Sequence, residues 1–93
     1  MTIRDAIKLT PARRTLPDGT PYVLSRPTVL DLVEAIEFNK DKPTQLHAWL
    51  AWKHLRDDDG PVFASLAEAL SAPASVITII GTEADKLYSE GRD

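Results

Sequence analysis

The chain has 93 residues, 43% hydrophobic and 27% charged, with no cysteine and a formal net charge of −3 at pH 7. That length allows one core and not two, and the lack of cysteine excludes disulfides and thiolate metal sites. The charge is uneven: residues 1–26 hold five bases and two acids, and residues 27–93 hold six bases and twelve acids.

The chain opens with MTIRDAIKLT. Thr2, with Asp5 three residues on, has the form of a helix N-cap, and Ile3, Ala6 and Ile7 make one apolar face. A short helix or an irregular arm is expected before Pro11. Arg4, Asp5 and Lys8 fall where a secretion signal would be apolar, so the expected location is cytoplasmic. Pro17-Asp18-Gly19 predicts a tight turn between strands at 13–16 and 22–26, the second of which alternates with period two. A lone hairpin is barely stable in water, so it must lie on helices or join further strands.

Thr28, followed three residues later by Asp31, predicts a second cap. The helix it opens carries an apolar stripe (Val29, Leu32, Val33, Ile36) and an acidic one (Asp31, Glu34, Glu37). Residues 39–43 break the pattern, and Thr44 is expected to cap a helix over 45–56. Its end should fray into Asp57-Asp58-Asp59-Gly60, because acids there oppose the helix dipole. A short helix is predicted over 62–70, with Phe63, Leu66, Ala67 and Leu70 on one side. Residues 74–80 are rich in β-branched side chains, which favours a strand, while their setting also allows a helix; both stay open. The longest uncharged apolar stretch, about 70–80, is too short to cross a bilayer. Thr82-Glu83-Ala84-Asp85 repeats the capping pattern and predicts a final helix to about residue 90. The expected fold is α+β, mainly α. It forms one domain over 1–93, with an arm and β-hairpin over 1–26 packed on a small bundle of three to four helices over 27–93.

The helix over 45–56 is the most informative piece. Leu46, Trp49 and Leu50 point one way, and Ala48, Ala51, Trp52 and Leu55 another, so apolar residues cover more than the stripe a surface helix needs. A central core helix explains this; so does a core helix that keeps one Trp-bearing stripe for a partner, since Trp is enriched at interface hot spots. His47 and His54, seven apart, have the wrong spacing for a helical metal pair and read as surface residues. Placing Gly60 at the calcium-loop glycine puts Leu55 and Leu66 at ligand positions, which excludes that loop. No Gly-rich phosphate cradle or nucleophile elbow is present, and no enzyme, cofactor or metal is expected. Five scattered bases beside one Tyr argue against nucleic acid as a partner. Asp31, Glu34 and Glu37 read as a solubilising or charge-steering face.

The stretch L-P-D-G-x-x-Y-x-L (Leu16 to Leu24), followed by R-P-T-V-x-D-L (Arg26 to Leu32), resembles the tail assembly chaperones of tailed bacteriophages, especially the small Mu- and P2-type families. W-L-A-W-K (Trp49 to Lys53) and F-x-x-L-x-x-A-L (Phe63 to Leu70) are similar to the helical half of such proteins in long-tailed phages. The resemblance implies a non-enzymatic factor in the host cytoplasm that keeps the tape measure protein soluble and helps recruit tail tube protein. It carries no catalytic residues and no sharp binding motif. The expected client contacts therefore come from the helix itself: Trp49, Trp52, Leu46 and Leu50, with Asp31, Glu34 and Glu37 outward. Association of the basic hairpin of one copy with the acidic helix of the next is a further expectation. Two alternatives stand beside this: a small virion part of the head–tail connector or tail terminator kind, and a small DNA-associated regulator using Arg13 and Arg14.

Overall fold

A computed structural model describes residues 2–90; Met1 and residues 91–93, the outer ends of the one-domain reading, lie outside the described part. The fold is α+β and mainly α, with an N-terminal hairpin in a four-stranded antiparallel sheet. Thr2 and Thr28 each close a capping box with Asp5 and Asp31, and these open α1 (Ile3–Ala6) and α2 (Val29–Asp41). Between them β1 (Ala12–Thr15) and β2 (Pro21–Leu24) turn at Gly19, whose φ of 93° suits a residue without a Cβ. The Asp18 carboxylate accepts the Thr20 N–H at 2.9 Å and is held below its ordinary pKa by that bond.

The sheet continues where a helix end was expected. A 3-10 turn (Pro43–Gln45) leads into α3 (Leu46–His54), and the chain then extends as β3 (Leu55–Asp57) and returns as β4 (Gly60–Pro61). The acidic run is thus the turn of a second hairpin and not a fraying helix, with Gly60 at φ 108° and the Asp57 carboxylate accepting the Asp59 N–H at 2.8 Å. Sheet order is β1-β2-β3-β4. Ala12 faces Leu24, and Leu24 faces Leu55, so one buried apolar row ties both hairpins to the core.

Ser65 caps α4 (Leu66–Leu70), shorter than the expected 62–70. α5 (Ala74–Glu90) resolves the open segment as helix. Ile77, Ile80, Gly81, Ala84, Leu87 and Tyr88 fall on one face at helical spacing and are buried, and this face packs on α3, overriding the β-branched preference of 74–80. Thr82 is no cap: it lies inside α5 and its hydroxyl donates to the Thr78 carbonyl at 2.7 Å. Nor does Thr44 cap α3, whose preceding turn starts at Pro43 with no side-chain cap. His54 corrects the surface reading, because it is 1% exposed inside the core.

Candidate partner-binding site

α2 is oriented against expectation. Leu32, Ala35 and Phe38 face inward, while Val29, Leu30, Val33 and Ile36 are 80%, 65%, 48% and 53% exposed. Two apolar faces competed, and the aromatic one took the core: the Phe38 ring stacks on Trp49 at 5.6 Å and 25°. The acids follow from that choice. Asp31 and Glu34 are half-buried and Glu37 alone of the three is exposed, so they are not one solvated stripe. Asp31 accepts the Thr28 N–H at 2.9 Å, and Glu34 pairs with Lys53 at 3.5 Å. α2 therefore stands as a ridge with apolar side chains along its outer face.

A cleft flanks the ridge on each side. A small one of about 90 Å³ separates α2 from α3 and α5 and is lined by Leu32, Ala35, Leu46, Leu50 and Tyr88 among others. The other, about 420 Å³, has Phe38, Trp49 and Trp52 as its aromatic wall and Glu34, Glu37 and Asp41 on its rim. The Lys53 ammonium lies 4.6 Å from the Trp52 ring centre and 5.6 Å from that of Trp49, a cation–π arrangement held in place by Glu34.

The four apolar residues expected to meet a client thus separate. Trp49 and Leu50, 4% and 1% exposed, are core residues, and burial removes them from direct contact. Trp52 and Leu46 are half-buried and reachable, in different clefts. Trp52, Glu34 and Glu37 are brought together; Asp31 is not among them. Leu30 and Phe38 were missed. The signal for Phe38 was its position three residues after Ala35 and six after Leu32, a second helical stripe.

A larger groove, about 550 Å³, lies along the sheet, with Leu16, Tyr22, Leu55 and Ile80 at its base and Arg13, Arg14 and Arg56 around it. Arg14 is engaged: it pairs with Glu83 at 3.3 Å and Glu90 at 3.9 Å. Hydrogen bonding to Lys86 comes first among the causes that hold the Glu83 carboxyl below its ordinary pKa, with Arg14 adding to it. One of the two arginines on which DNA binding would rest is therefore occupied inside the fold.

A polar cluster centred on the buried His54 joins α3, α5 and the residue after β2. His54 Nδ1 lies 3.1 Å from Ser25 Oγ, and His54 Nε2 is hydrogen-bonded to the Tyr88 hydroxyl. A hydroxyl beside an imidazole has the outline of a nucleophile and its base. Here the far nitrogen meets a phenol where a carboxylate would be needed, and burial pushes that phenol further up. Burial also lowers the basicity of His54, over a smaller opposing pull from Asp31. The cluster ties the segment just after β2 to α3 and α5.

Among the described residues no group of three or more potential ligands is placed to hold a metal, and no helix is long and apolar enough to cross a membrane. No protein-family model, curated protein or solved structure matches this chain.

Proposed function

We propose that this chain is a phage tail assembly chaperone that works in the host cytoplasm by binding, without chemistry of its own, apolar helical segments of the tape measure protein. The observation that carries this reading is the outer face of α2: four large apolar side chains on one helix face, turned to solvent. Monomeric soluble proteins seldom leave such a contiguous patch unused. An exposed apolar ridge between two clefts suits an amphipathic helix, which would lay its own apolar stripe along Val29, Val33 and Ile36 and seat a side chain beside Trp52. Many small copies would each cover a stretch of a long client, and the net charge of −3 on each would keep the coated complex dispersed. Recruitment of tail tube protein is part of the same reading and rests on the family resemblance alone.

Co-expression with a tape measure protein tests it. Wild type should move the client from pellet to supernatant as a complex. The double substitution Val33→Glu with Ile36→Glu should leave the fold intact and the client in the pellet. A client that stays insoluble with wild type contradicts the proposal.

A further inference from the structure

We propose that residues 2–9 form a clasp that closes on a helix seated along the outer face of α2, and so select clients whose apolar surface runs past the stripe that α2 covers. This deepens the client reading and rests on it. The arm and the ridge share one root. Ala12 pairs with Leu24, and the same antiparallel register carried two residues outward sets Thr10 beside Arg26. The Arg26 Nε–H donates to the Thr10 carbonyl at 2.8 Å, and the Arg26 guanidinium pairs with Glu90 at 3.1 Å, so the root is fixed to the body. From there α2 starts at Val29, three residues after Arg26, and its thirteen residues run about 20 Å. The eight residues of the arm reach at most about 26–29 Å when extended, enough to follow a guest along the whole of α2.

The free arm is apolar and uncovered. Residues 2–11 are all exposed, with Ile3, Ile7 and Leu9 at 77%, 71% and 57%. Among the described residues, the side-chain hydrogen bonds and the ion pair of residues 2–9 are all internal, from Thr2 or Lys8 to Asp5. The capping box predisposes α1 to a helical turn, but four residues do not hold a helix in water until a surface packs on them. Such a segment orders on the surface it meets. A guest helix on α2 is about 10 Å across, and the ridge covers one side of it, which leaves a flank in water. Ile3, Ile7 and Leu9 are rooted within reach of that flank. The contact is apolar, so a guest with one narrow stripe gains nothing from the arm, and a guest with a second apolar stripe on its flank gains further burial.

Two fluorescein-labelled synthetic helices of equal length and charge test this by anisotropy with the full chain. One carries a single leucine stripe, and the other adds a second stripe on its flank. Wild type should bind the second at least about tenfold more tightly. The preference should persist at high salt, since no ion pair carries it. Ile3→Glu with Ile7→Glu, both exposed, should keep the fold by circular dichroism and bind the two peptides alike. Val33→Glu with Ile36→Glu should lose both. If wild type binds neither peptide, the client reading falls and takes the clasp with it. If wild type binds both equally, or the arm variant keeps the preference, the clasp alone is overturned. A melting temperature that falls in the free arm variant would mean the arm packs on its own body. Arm-dependent association without peptide would mean it packs on a second copy, and either result overturns the clasp.

Discussion

Gly81 of α5 crosses His47 of α3 so closely that a Cβ built on the glycine would lie 2.5 Å from His47 Cβ and 2.6 Å from His47 Cα. One of those atoms is backbone, so no rotamer change relieves the clash. In an exposed helix, replacing Gly by Ala gains about 1 kcal/mol of helix propensity. Here overpacking, commonly about 1–3 kcal/mol, outweighs that gain. Gly81→Ala should therefore lower the urea midpoint, while Thr82→Ala, one residue on and exposed, should shift stability by no more than about 0.5 kcal/mol.

Stability should fall with pH through the histidine range. His54 is buried neutral, and its pKa is lowered by that burial, with Asp31 and Ser25 opposing and Arg56 and Lys53 reinforcing. In the unfolded chain it regains an ordinary value of about 6.5. The unfolded state then binds the proton first, so the contribution is complete above that value and is lost as pH drops below it. Urea midpoints measured from about pH 7.5 to 5 should decline, and His54→Gln should flatten the slope in that window. The decline from Glu83, whose pKa is lowered from 4.5, begins lower and should persist in the variant.

Two tyrosines should respond in opposite directions to loss of the hydroxyl. The Tyr88 hydroxyl is bonded to His54, and Tyr88→Phe leaves a buried imidazole nitrogen unpaired, at a cost of about 1–3 kcal/mol. Among the described residues the buried Tyr22 hydroxyl has no hydrogen-bond partner, and burial, helped by Glu83, raises its pKa. Tyr22→Phe should therefore be neutral or stabilising by up to about 1 kcal/mol. Chemical denaturation of the two variants beside wild type measures both.

Local signals made much of this fold legible. The two Thr–Asp capping boxes and the Pro17-Asp18-Gly19 turn act within a few residues and formed as expected. The strands β3 and β4 did not show, because three and two residues are too few to display a period, and their acidic turn resembles a helix end. The direction of α2 was hidden for a different reason. Both its faces are apolar, and the choice depends on Phe38 meeting Trp49 on another helix. His54 is buried because Ser25 and Tyr88, 29 and 34 residues away, satisfy its nitrogens, a pairing that only the assembled fold creates. Of the candidate site, Trp52 with Glu34 and Glu37 was legible in the sequence; the ridge beside them, turned outward, was not.

The most direct test is a two-dimensional NMR titration of the labelled chain with a synthetic amphipathic helix taken from a tape measure protein. Shifts should concentrate on α2 from Val29 to Glu37 and on the Trp52 indole, leaving the sheet around Arg13 and Arg56 unmoved. Shifts confined to the sheet groove, or none with a client that wild type keeps soluble, would contradict the placement of the binding face on α2.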